Sequence, residues 1–88
     1  MRTKIKVSFS SKSKGSGNAV VFYFEDEEGT QYFFEAPRDN SGNHTTITGR
    51  ILESTTHSRF IISTELIPKG EKRFKLFDPR IIRELEDK

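Results

Sequence analysis

The sequence predicts a small mainly β domain of the α+β type. It is expected as a strongly curved antiparallel sheet, or a partly closed barrel, of five to six strands with a short C-terminal helix. Three observations carry this. Residues 4–10 alternate polar and apolar side chains one by one, the period of a half-buried strand. The stretch NAVVFYFEDEEGTQYFFEAP places two aromatic-rich runs on either side of an acidic turn, a hairpin with large apolar groups on both faces. From Asp78-Pro79 onward the apolar spacing changes to that of a helix.

In the first strand Ile5, Val7 and Phe9 share one face, and Lys4, Lys6, Ser8 and Ser10 the other. Residues 11–18 hold Ser, Lys, Gly and Asn without an apolar anchor and read as a flexible loop. The second strand covers residues 19–24, with Val20, Phe22 and Phe24 opposite Ala19, Val21 and Tyr23. Asp26-Glu27-Glu28-Gly29 closes a hairpin, its glycine free to adopt positive φ. The third strand covers residues 30–36, with Tyr32, Phe34 and Ala36 on one face and Gln31, Phe33 and Glu35 on the other. Pro37 ends it, because proline donates nothing to a ladder, and residues 38–44 form a second loop.

Residues 45–52 alternate as a fourth strand, with Gly49 marking a bulge or bend. Residues 59–67 form the fifth, with Phe60, Ile62, Thr64 and Leu66 on one face. After a turn at Pro68-Lys69-Gly70-Glu71, residues 72–77 form a shorter strand with Phe74 and Leu76 inward. Asp78 then caps a helix over residues 79–87, with Pro79 at its first position. Phe77 packs on Ile82 as a staple, and Ile81, Ile82 and Leu85 form the buried stripe.

The 88 residues make one domain. Apolar and charged residues each supply 32% of the chain, so the core is thin and rests on its aromatics. With no cysteine, disulfides, thiolate nucleophiles and cysteine metal ligands are excluded. No apolar run reaches the roughly 20 residues of a membrane helix. The N-terminus MRTKIKVSFS lacks the apolar core of a signal peptide. A cytoplasmic protein with no membrane association is expected.

The net charge of +2 is strongly segregated. Residues 1–24 contain Arg2, Lys4, Lys6, Lys12 and Lys14 and no acid. Residues 25–35 contain Glu25, Asp26, Glu27, Glu28 and Glu35 and no base. Such polarity steers an acidic partner to one side.

The second face of the central hairpin has three destinations: a closed barrel, a second copy of the chain, or a ligand. Aromatics on an open sheet stack against bases while lysines hold phosphates. The expected function is therefore a non-enzymatic module binding nucleic acid, DNA or single strands included, and working as a homodimer. Its expected surface comprises Arg2, Lys4, Lys6, Lys12 and Lys14, with Tyr23 and Phe33 as stacking groups. A second basic group, Lys72, Arg73 and Lys75, adds to it. The acids of the hairpin turn are expected to lie away from that surface. The alternative is a protein–protein interaction or accessory module working through the apolar hairpin.

No catalytic constellation stands out. His44 and His57 sit in polar surroundings with no fixed spacing, and they match no zinc pattern. The acidic turn lacks the alternating oxygen ligands of a calcium loop. No cofactor and no metal are expected.

Overall fold

The computed structural model describes residues 1–86. Its elements, in chain order, are β1 (Thr3–Lys14), β2 (Val20–Glu25), β3 (Gln31–Ala36), α1 (Ile47–Ser54), β4 (Arg59–Gly70) and β5 (Arg73–Leu85). The five strands close into a barrel in the order β1-β2-β3-β5-β4. Every neighbouring pair is antiparallel except β3 and β5, which run parallel. The expected curved sheet is thus a closed barrel, and mixed rather than wholly antiparallel.

Every strand of the closed barrel pairs with two neighbours, and the long β1 and β5 meet theirs over different parts of their length. β1 pairs with β4 over Thr3–Ser8 and with β2 from Ser8 to Lys14. A register shift between Phe9 and Ser11 bends it from one partner to the other, as bulges do in barrels. This corrects the expectation that residues 11–18 form a loop: residues 11–14 are strand. β5 pairs with β4 along most of its length and with β3 over Gln31–Phe33.

The inward faces of these strands make the core. Val7, Phe22, Phe24, Tyr32, Phe34, Ala36, Phe60, Ile62 and Leu76 cluster there with Leu52 of α1. Phe24 meets Phe60 edge to face at 6.1 Å, a favoured aromatic geometry. The hairpin turn is built as its sequence implies. Gly29 has φ 81°, and Asp26 Oδ1 accepts the amides of Glu28 and Thr30, each at 2.9 Å. Tyr32 donates its hydroxyl to Asp26 Oδ2 at 3.0 Å. Burial first, and this bond second, push the Tyr32 phenol up to about 12.

Two elements differ from the sequence-based expectation. Residues 45–52 are not a strand; α1 occupies most of that stretch. Thr46 caps it, its hydroxyl accepting the Gly49 amide at 3.0 Å. Gly49 is not a bulge but a contact point. A Cβ there would come within 3.0 Å of the His44 ring, so glycine lets the helix seat against that histidine. Leu52 enters the core, and the Thr48 hydroxyl donates to the Pro79 carbonyl, which fixes the helix over the barrel end.

Residues 79–86, the described part of the expected helix over 79–87, are likewise not helical. β5 runs through Leu85; Asp87 and Lys88 lie outside the described residues. Glu65 pairs with Phe77 and Ser63 with Arg80, so Thr64 faces both Asp78 and Pro79. That is a bulge, one of the places in a sheet that tolerate proline. Asp78 takes φ 52°, and the buried Thr64 hydroxyl donates to the Phe77 carbonyl at 3.2 Å. Phe77 and Ile82 are each 54% exposed, so the expected staple does not form. A two-to-three-turn helix is marginal alone, whereas a strand here completes the longest ladder in the barrel.

Candidate nucleic-acid interface

The barrel sorts the proposed residues onto two outer walls and the barrel end near α1. On the first wall Ser11, Tyr23, Phe33 and Lys75 lie across from one another on β1, β2, β3 and β5. The Tyr23 and Phe33 rings are 6.3 Å apart at 36°. Ser13 donates to the Tyr23 hydroxyl at 3.2 Å. The Arg73 guanidinium lies 5.1 Å from the centre of the Phe33 ring, within cation–π range. Both rings are half-buried while Arg73 is exposed. Strand alternation alone produces this row, because Phe22, Phe24, Tyr32 and Phe34 take the inward positions.

On the second wall Lys4 faces Ser63 and Lys6 faces Ile61. Arg80 and Arg83 continue those rows on β5. Lys4 and Lys6 are exposed and form no ion pair among the described residues. The outward residue preceding Arg80 on β5 is the exposed Phe77, opposite Glu65. The expected single basic surface is therefore divided.

The other cations have local duties. Arg2 donates to Ser63 Oγ at 3.1 Å and to the Ser63 carbonyl at 2.8 Å. It also reaches Asp78 Oδ2 at 3.3 Å and the Asp78 carbonyl, so it clamps the β5 bulge. Lys12 Nζ lies 3.0 Å from Glu53 Oε2 and ties β1 to α1. Lys72, at φ 56° in the β4–β5 turn, reaches the Glu28 carbonyl at 3.4 Å. Lys14 is exposed where β1 ends.

Acids approach the aromatic row more closely than expected. Glu25 stands two residues beyond Tyr23, and Glu35 two beyond Phe33, on the same outer face. The Glu35 carboxylate accepts the Ser16 amide at 2.7 Å, which turns it toward the β1–β2 connection. Asp26, Glu27 and Glu28 stay in the hairpin turn.

The histidines occupy separate sites. His44 is buried at 6% exposure, against the expectation of a polar surface residue. Its Nε2 lies 3.0 Å from Glu53 Oε1, and its Nδ1 has no hydrogen-bond partner among the described residues. Bonds from His44 and then Lys12 hold the Glu53 carboxyl below the usual carboxylate range. His57 Nδ1 lies 3.8 Å from Glu84 instead. The two rings thus share no carboxylate, and no metal-binding cluster occurs among the described residues. No described helix is long and apolar enough to cross a membrane.

Sequence reasoning identified Tyr23 and Phe33 from alternation within their strands. It named Arg73 and Lys75 as basic residues without their proximity to Phe33, because the parallel β3–β5 contact leaves no mark in local sequence. Comparison with protein-family models, curated proteins and solved structures finds no match to this chain.

Proposed function

We propose that the barrel is a non-enzymatic module binding single-stranded nucleic acid on the wall formed by Tyr23, Phe33, Arg73 and Lys75. The observation that carries this is the pair of adjacent outward rings with a guanidinium over one of them. Two aromatic faces stack successive bases whatever their identity, and the cations hold the phosphates between them. The architecture lends support at the level of fold. The closed five-stranded barrel resembles in outline the five-stranded barrel of the OB-fold. Such barrels take oligonucleotides on the face of strands 2 and 3 and on neighbouring loops, although fold by itself does not assign function.

Glu25 and Glu35 limit the positive field of this wall, so stacking contributes more than charge. With Arg73 and Lys75 as its phosphate contacts, the plot of log affinity against log salt should slope by about −1.4. A homodimer, expected from the sequence, would cover the same two rings and compete with the ligand. Anisotropy titration of labelled single- and double-stranded oligonucleotides at two salt concentrations tests the proposal, with light scattering on the same samples. Single strands should bind in preference to duplex, to a monomer. Absence of binding at low salt, or a dimer that seals Tyr23 and Phe33, overturns it.

A further inference from the structure

The geometry points to a second feature of the same ligand surface: an apolar wedge between β3 and β5 that receives one nucleobase. This inference rests on the single-strand reading above, and it concerns a place outside the β2–β3 face. The parallel ladder stops at Phe33 and Lys75, although β3 continues to Ala36 and β5 to Leu85. Beyond that pair the strands separate around an opening of about 460 Å³, within the size range of small-ligand sites. Phe34 and Leu76 are buried at its floor. Pro37, Phe77 and Pro79 form apolar sides, and Lys75 lines it as well.

The unused backbone groups give the wedge a polar edge. The Gln31 amide donates across the seam to the Lys72 carbonyl at 2.9 Å. Alternation turns the amides of Phe33 and Glu35 to the same side. The corresponding groups of Phe74 and Leu76 face them from β5. Past the last ladder pair, the Glu35 N–H and the Leu76 C=O therefore face the opening with no ladder partner across it. One donor and one acceptor between apolar walls suit the edge of a base, which presents both kinds of group.

The opening is held by structure on β5. Asp78 adopts left-handed backbone, a conformation that costs energy in a non-glycine residue. Arg2 grips its carbonyl and carboxylate, while Thr48 of α1 holds the Pro79 carbonyl. Of the charged groups that line the wedge, Asp78 is paired with Arg2 and Arg80, and Glu35 is turned onto Ser16. Lys75 has no ion-pair partner among the described residues. That leaves an unpaired ammonium beside Phe33, placed for the phosphate that precedes or follows the inserted base.

Amide NMR spectra of the 15N-labelled chain, titrated with an oligothymidylate of about eight nucleotides, test this. The amides of Glu35 and Phe77 should shift together with those of Tyr23, Phe33 and Arg73. Phe77→Ala, which truncates an exposed wall and leaves the core intact, should weaken binding roughly tenfold. Shifts confined to Tyr23, Phe33 and Arg73 would leave the single-strand reading standing and overturn the wedge. Unchanged affinity of Phe77→Ala would do the same. Shifts at Glu35 and Phe77 with an apolar peptide but none with the oligonucleotide would assign the wedge to a protein side chain and overturn the nucleobase. No shift anywhere at low salt would remove both readings.

Discussion

Lys4, Lys6, Arg80 and Arg83 stand on a wall where β1, β4 and β5 are paired in antiparallel ladders, the β4–β5 ladder bulging on either side of Arg80. Tyr23, Phe33, Arg73 and Lys75 stand on a wall that ends at a short parallel seam. Both walls are cationic, and the first has acids beside it in Glu65 and in Asp78, which pairs with Arg80. The second has acids at its margins, two adjoining rings, and strands that part beside them. On the proposed reading, the outward aromatics and the seam where β3 and β5 part mark the binding surface, and the distribution of charge, which stands out most in the sequence, does not.

The largest effect should come from the core that both walls share. Phe60 is fully buried against Phe24, and Phe60→Ala should cost about 3–5 kcal/mol in chemical denaturation. Loss of ligand binding in that variant would then be no evidence for either wall. Alkaline pH offers a gentler probe. The Tyr32 phenol, ordinarily near 10, is raised to about 12 in the folded chain. Its protonated form is favoured by folding, so its contribution is complete below pH 10 and is lost as pH rises toward 12. The loss should reach about 2–3 kcal/mol. Thermal unfolding across that window should fall less steeply for Tyr32→Phe than for the parent chain.

The walls themselves separate in the next pair of experiments. Phe33→Ala should lower affinity for single strands by about 1–3 kcal/mol while barely moving the salt slope. Lys4→Ala with Lys6→Ala should leave affinity at moderate salt nearly unchanged. The reverse ranking would transfer the interface to the Lys4–Lys6 wall.

The smallest effect concerns α1. Glu53 is held below the usual carboxylate range by His44 and Lys12, so folding favours its ionised form. That contribution is present above the ordinary carboxyl pKa and disappears as pH falls through the lowered one. Glu53→Gln should flatten the acid limb of the stability curve slightly and leave the alkaline limb in place.

Legibility followed the length and redundancy of each local signal. The hairpin of β2 and β3 was readable because six-residue alternation on both sides of a glycine turn admits few other conformations. Its residues were sorted onto the two faces that the structure has, although Ala19 and Val21, which share a face with Tyr23, are also buried. The segment Thr45-Thr46-Ile47-Thr48-Gly49-Arg50-Ile51-Leu52 fits a period of two as well as about two turns of helix, and its β-branched residues favour the strand. What decided it was the barrel end, where Leu52 completes the core and Gly49 admits His44. Asp78-Pro79 reads as a helix start when taken alone. In the folded chain the same pair makes a bulge opposite Thr64, because β4 presents a long unpaired edge that a continuing strand can satisfy.

The sequence by itself determined that this is a small β domain, which side chains of the central hairpin share a face, and that Tyr23 and Phe33 lie on the opposite face from Phe22 and Phe34. Those properties depend on alternation and turn chemistry, which act over a few residues. Only the tertiary structure decided that the sheet closes, that one helix lies between β3 and β4, and that Arg73 and Lys75 stand beside Phe33. These depend on pairing between segments some forty residues apart. Competition among distant strand edges for hydrogen bonds and apolar cover sets such pairing, and no local period encodes it.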